Sequence, residues 1–262
     1  MAKRAMAIAA HPDDIEFMMA GTLLLLKNAG YEIHYMTISD GNCGSMNWDA
    51  ETTARVRVEE SKESARILGA QYHLPIGKDF EIFYTKEMLQ KLTAVIRSVE
   101  PDIILTHSPT DYMEDHMITC RLTVTAAFVR GIPNYKAGDS TPTNVDCTIY
   151  HAMPHGLQDP LRRDVIPEMY VDVGSVFDTK QRALSAHKSQ HEWLDSSQKM
   201  NSYLRFLEEI ALLVGQRSGR FQYAEGWRRH LHYGFGRAEA DPLKALGENY
   251  LMNETYKDSL SL

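Results

Sequence analysis

The 262-residue chain is poor in cysteine: Cys43, Cys120 and Cys147 are its only thiols. They form no Cys-x-x-Cys pair and are odd in number, which fits a reducing cytoplasm and gives no spacing support for a metal role. A basic excess is also missing. The 28 Lys and Arg against 35 Asp and Glu leave a net charge of −7, whereas phosphate neutralisation needs a basic face, so no nucleic-acid partner is expected. No apolar run is long enough to span a bilayer, since Leu23–Leu26 is closed at once by Lys27 and Asn28. The apolar stretch behind Lys3-Arg4 is too short for a secretory leader and has no small-residue cleavage site. The expectation is a cytoplasmic protein with no membrane partner. Internal repeats, heptad arrays and low-complexity segments are absent. So is a Gly-x-Gly-x-x-Gly loop behind the first strand, which removes the phosphate cradle of a dinucleotide-binding protein.

What stands there instead is His11-Pro12-Asp13-Asp14, directly behind the apolar run Ala5–Ala10. The run reads as a buried strand, followed by a helix over Glu16–Ala29 that Gly30 ends. The alternation continues with a strand at Tyr31–Ile38, a helix at Thr52–Leu68 closed by Gly69, and a short strand at Tyr72–Ile76. A helix at Lys86–Val99, a strand at Asp102–Thr106 behind Pro101, and a helix at Asp115–Val129 complete the regular part. Strands alternating with helices imply an α/β, Rossmann-like fold: a mostly parallel sheet with helices on both faces. Right-handed crossovers place the loops after Ala10, Ile38, Ile76 and Thr106 at one sheet edge. We expect one domain over 1–262, with a regular core at about 5–130, an irregular and helical elaboration at about 131–236, and a polar tail at 237–262. Helices are expected at Asp178–His191 and Ser197–Gly215, with an extra one around Pro242–Tyr250.

Polar groups at the carboxyl ends of strands stand where open α/β sheets gather ligands. Imidazole and carboxylate suit Zn²⁺, and a second carboxylate is free to handle a proton. Taken alone, the tetrad also reads as a helix cap beside an ordinary loop histidine. The segment Thr106–His116 follows another strand and enters another helix, so His116 can approach the edge that carries His11. Two histidines and one carboxylate make three protein ligands and leave a zinc position open for water.

Ala10-His11-Pro12-Asp13-Asp14-x-Glu16 resembles the signature of the LmbE/PIG-L family of zinc-dependent N-acetylglucosaminyl deacetylases. The similarity extends through Gly21-Thr22, Asp40-Gly41, Arg57-x-x-Glu60, Leu68-Gly69 and Asp115-His116, with an echo at Tyr223-Ala224-Glu225-Gly226. It covers roughly residues 5–130. The resemblance implies that His11, Asp14 and His116 bind Zn²⁺ and that Asp13 is the general base. It also implies that Arg57 and Asp79 contact the sugar or its aglycone, and that Asp115 supports the site from behind. The implied partner is a small-molecule N-acetylated sugar; self-association is a further expectation, with 131–170 as the contact region.

One position departs from the pattern. Where the family usually has His-Pro-Asp-His, this chain has Met113-Glu114-Asp115-His116. A thioether can neither donate a hydrogen bond nor titrate, so Tyr112, His107, His155 or His187 must replace the missing histidine, or the reaction differs. A weakly catalytic sugar- or metal-binding relative and a zinc amidase on a non-sugar amide are the competing readings. Trp48, Phe80, Phe83, Tyr84, Tyr135 and Trp193 are candidates for an aromatic sugar platform, although aromatic residues more often fill cores.

Overall fold

β1 (Arg4–Ala9) is buried on both faces, and its alternation divides the molecule into two layers. Ala5, Ala7 and Ala9 belong to one apolar cluster, while Met6 and Ile8 belong to the other. A central strand covered by helices on both sides needs this near-continuous apolar sequence. The computed structural model describes residues 2–190 and 203–256. In it, β1 is flanked by β2 (Glu32–Thr37) and β4 (Ile103–Thr106), and β3 (Gln71–His73) pairs with β2. β5 (Thr148–Ala152) extends the parallel set beyond β4. The second half adds β6 (Met169–Asp172), β7 (Ala224–Arg229) and β8 (Tyr250–Met252). The sheet order is β3-β2-β1-β4-β5-β7-β6-β8, and the β5–β7, β7–β6 and β6–β8 pairings are antiparallel.

α4 (Lys86–Val99) and α5 (Glu114–Val129) cover the face of Met6 and Ile8. The other face is covered by α1 (Asp14–Met18), α2 (Ala20–Asn28), α3 (Ala50–Leu68), α6 (Phe177–Leu184) and α7 (Tyr203–Ser218). The order reverses between β1 and β4, because β1 connects outward to β2 while β4 lies on its opposite side. Loops diverge at such a switch point, and the crevice between them is where open sheets bind ligands.

Several boundaries differ from expectation for physical reasons. The single helix expected over Glu16–Ala29 is two, broken at Met19 (φ −136°, ψ −25°). The amide N–H groups of Gly21 and Thr22 both donate to the Glu225 carboxylate at 2.8 Å. The new helix start is thus satisfied from a residue two hundred positions away. α3 begins at Ala50, two residues early, because Asp49 caps it by accepting from the Thr52 amide at 2.8 Å. The expected strand at Tyr72–Ile76 is only three residues long, and α6 stops at Leu184. His191, Trp193 and the start of the helix expected at Ser197 lie outside the described residues. The tail is not simply polar: residues Pro242–Asn249 form a 3-10 helix that buries Leu243, and β8 joins the sheet. No helix among the described residues is long and apolar enough to cross a membrane.

Candidate metal centre

Five loops at the carboxyl edge of the parallel strands converge on one cavity of about 820 Å³. The loop after β1 supplies His11, Asp13 and Asp14; the loop after β2 supplies Cys43 and Gly44; the loop after β3 supplies Asp79 and Phe80. Tyr112, Met113 and His116 come from the connection between β4 and α5, and His155 follows β5.

Ligand atoms of His11, Asp14 and His116 lie within 4.8 Å of one another, and all three residues are buried. His11 Nδ1 is 3.3 Å from Asp14 Oδ2, and His116 Nε2 is 3.3 Å from Asp14 Oδ1. The outward nitrogens are also engaged. His11 Nε2 donates to Asp115 Oδ2 and His116 Nδ1 donates to Asp111 Oδ1, both at 3.0 Å. Each imidazole thus turns one nitrogen to Asp14 and gives the other to a supporting carboxylate, the arrangement that fixes the tautomer of a metal-ligating histidine.

The electrostatics fit a cation. Burial alone would lower both imidazoles, but the carboxylates overcome it and push His11 up to about 9 and His116 up to about 10. Burial likewise opposes ionisation of Asp14, yet His116 and His107 hold it well below the ordinary carboxylate range. The centre therefore gathers positive charge around an ionised carboxylate, and a divalent ion between neutral imidazoles serves the same need. His107 is placed differently. Its Nε2 accepts the Ala10 amide at 2.9 Å, so that lone pair is taken, and its ring stacks on His116 with centroids 4.1 Å apart. Burial, with His116 beside it, lowers His107 to about 4.

Asp13 adopts φ 108°, in the left-handed region. Tyr203 of α7 donates its hydroxyl to Asp13 Oδ2 at 2.7 Å, and Arg57 Nη2 lies 3.5 Å from the same oxygen. Burial raises the Asp13 carboxyl above its ordinary value, against the pull of Arg57, and the neighbouring Asp14 raises it further. Arg57 enters from α3 and also donates to the carbonyls of Pro12 (2.6 Å) and Gly41 (3.2 Å). A Cβ at Gly41 would come within 2.7 Å of the Arg57 side chain, and φ there is +77°, so glycine is needed on both counts. Asp79 accepts from the Ser39 hydroxyl at 2.6 Å and the Cys43 amide at 3.0 Å, and lies 3.7 Å from Arg57 Nη1. Both residues line the cavity with most of their polar atoms engaged by the protein, although Arg57 Nε has no hydrogen-bond partner. Asp115 also accepts the Phe80 amide at 2.8 Å, which holds Phe80 at φ 60°.

Met113 lines the cavity as the residue before α5. Of the four residues that could replace the missing histidine, His107 and His187 are not among those lining the cavity, and His187 pairs with Glu16 at 3.2 Å. Tyr112 and His155 do line it, and His155 Nε2 is 3.7 Å from Asp14 Oδ1. Among the candidate aromatics Phe80 is at the cavity, joined by Phe17, Tyr203 and Phe206; Tyr84 borders a different cavity and Tyr135 packs on the core. Asp111 and Tyr203 were not singled out from sequence. Asp111 lies within the polar run before α5, whereas nothing local marks Tyr203.

A model of the PIG-L family, described as GlcNAc-PI de-N-acetylase, matches residues 6–127. The chain is 32% identical over 234 residues to a diacetylchitobiose deacetylase of Thermococcus kodakarensis, covering 86% of this chain and 82% of that protein. It is also 30% identical over 200 residues to a 4-oxalmesaconate hydratase of Pseudomonas putida, covering 73% and 76%. Among solved structures, an N,N'-diacetylchitobiose deacetylase from Pyrococcus horikoshii superimposes with a TM-score of 0.74 at 26% identity, over 92% of this chain and 89% of that one.

Proposed function

The chain belongs to the PIG-L/LmbE deacetylase family, and from that premise we propose that it is a zinc-dependent hydrolase removing the acetyl group from an N-acetylglucosamine-type sugar or sugar conjugate. The observation that carries this reading is the placement of Asp13, with its raised carboxyl, at the same cavity wall as the His11–Asp14–His116 donor set. His11, Asp14 and His116 would hold the Zn²⁺, which when bound would supply Lewis-acid polarisation of the acetyl carbonyl and acidify the attacking water. Asp13 takes the proton from that water. Its Oδ2 already accepts from Tyr203, which leaves Oδ1 as the basic oxygen. The same carboxylic acid then protonates the amine nitrogen, so that the amine leaves neutral and acetate is the second product. Asp115 and Asp111 keep the imidazoles turned toward Asp14. Arg57 and Asp79 form the substrate side of the cavity, with Arg57 also steadying Asp13. Met113 offers no hydrogen bond to the developing oxyanion, and His155 takes that role in this reading, as the cavity-lining imidazole on the same side of Asp14 as His116. The site belongs to a cytoplasmic protein acting on a small molecule.

A second reading keeps the centre and changes the bond. The similarity to a 4-oxalmesaconate hydratase favours delivery of water to a substrate of that kind, and Met113, which offers no donor to an amide oxyanion, weakens the alternative. Mass-spectrometric profiling of the zinc-loaded protein separates the two. Acetate and free amine from N-acetylglucosamine conjugates are expected, with turnover abolished by chelation. The Asp13→Ala variant should keep stoichiometric zinc while losing roughly 10²–10⁴ in rate. Full turnover in that variant sinks the assigned base. Sugar and zinc binding without acetate release across the panel returns the protein to the weakly catalytic or hydratase readings.

A further inference from the structure

The segment after β4 also borders a second cavity, of about 660 Å³, through Pro109. Arg121 of α5, Arg228 and Arg229 of β7, and His151 and His230 line it, and no Asp or Glu does. In a chain carrying a net charge of −7, that is an unusual concentration of one sign.

Arg228 is the central observation. It pairs in register with His151 across the β5–β7 ladder and points Nη2 at the Ser108 hydroxyl, 2.8 Å away. Its Nε is buried and has no hydrogen-bond partner. Neither Arg228 nor Arg121 forms an ion pair among the described residues, although both charges are felt at the buried Cys120 thiol. Burial lowers the Arg228 guanidinium from its ordinary range although Tyr256, Cys120 and Glu168 favour its charge, so nearby groups offset the lost hydration only in part. A half-buried guanidinium that lacks both a carboxylate in ion-pair contact and a partner for one of its donors is costly. A planar or tetrahedral oxyanion supplies both missing features at once.

The neighbouring imidazoles do not fill the gap. His151 Nδ1 donates to the His107 carbonyl at 2.9 Å, which leaves its Nε2 to accept from His230 Nδ1, also at 2.9 Å. That chain is satisfied internally and rigidifies the wall without neutralising Arg228.

We propose that this cavity is a second ligand site, binding a small oxyanion, carboxylate or phosphate, between the guanidinium groups of Arg228 and Arg121. The site is separate from the metal centre but shares its scaffold, because Ser108 and the His107 carbonyl belong to the segment that carries Asp111.

Calorimetric titration of the full-length, metal-loaded protein with inorganic phosphate, and separately with acetate, at constant ionic strength tests the proposal. Saturable binding of at least one anion is expected, and the tighter of the two identifies the headgroup. Asp14→Asn should leave that binding intact. Arg228→Met should weaken it about tenfold or more, roughly the loss of one charge-assisted hydrogen bond. The exposed Arg121→Met, which removes no core contact, should weaken it by a smaller factor, and Arg228→Lys should restore part of it. Loss of binding in Asp14→Asn places the anion at the metal instead. Absence of saturable binding, or equal affinity in wild type and both methionine variants, overturns the site.

Discussion

Asp111 does for His116 what Asp115 does for His11: each accepts the imidazole proton that faces away from Asp14. Supporting carboxylates of this kind tune both ring orientation and ligand basicity. Asp111→Ala should therefore lower metal affinity by about 10–100-fold while leaving all three donors in place, as measured by competition with a chromogenic chelator. Unchanged affinity would show that His116 needs no such support. That His11 and His116 share an edge was readable because each follows a strand, whereas the choice of Asp14 over Asp13 came from the family resemblance alone. Asp111 was harder to single out, since a loop residue five positions before a histidine has no periodicity to mark it. Tyr203 was beyond reach: its hydroxyl meets Asp13 across a sequence separation of 190 residues.

Among the elements, α4 was readable to the residue. Thr85 caps it by accepting from the Met88 amide, and its apolar stripe runs uninterrupted from Leu89 to Val99. α3 shows the value of a cap directly. Asp49 is its N-cap, so Asp49→Ala should cost about 1 kcal/mol, read as a lowered midpoint in chemical denaturation. An unshifted midpoint would mean that α3 is held by tertiary packing alone. The break between α1 and α2 was not readable, because Met18, Met19 and Ala20 are good helix formers and the group that satisfies the second start is Glu225. Glu225 is itself paired with Lys180, and both are buried. In the second half the helices were legible, at Phe177–Leu184, Tyr203–Ser218 and Pro242–Asn249, but the strands among its proline-rich connections were not. Its strands β6, β7 and β8 are short and pair antiparallel with partners distant in sequence, so no local alternation announces them.

At the scale of the molecule, stability should depend on pH through buried neutral histidines outside the His11–Asp14–His116 set. Burial lowers His34 to about 4, with His73 beside it adding to the shift, and lowers His151 to about 3. In the unfolded chain these imidazoles take up protons near their ordinary value of 6.5. As pH falls below 6.5 the unfolded state therefore binds protons that the folded state refuses. Their contribution is complete above 6.5 and is lost toward 4 and below. The urea midpoint should drop between pH 7 and pH 5, and His34→Gln should flatten that drop; identical slopes would remove His34 from the account. The fold class was fully legible at this scale. Five loops gathering at one edge follow from parallel strands joined by right-handed crossovers, and the structure adds His155, behind β5, to the cavity.

The reversal of strand order between β1 and β4 also has a consequence for synthesis. The tetrad emerges from the ribosome first, yet its histidine gains a carboxylate support only from Asp115, 104 positions later, and Asp13 gains its hydroxyl partner only from α7. A nascent chain that has exposed His11 and Asp14 but not His116 holds two of the three donors, too few for a closed centre. On the zinc reading proposed above, capture of the ion would be deferred until α5, behind β4, has brought in His116. Because binding energy released on such a set is also folding energy, the proposed ion would reward only chains that have already threaded the long-range connection, the slowest kind of contact for a polypeptide to form.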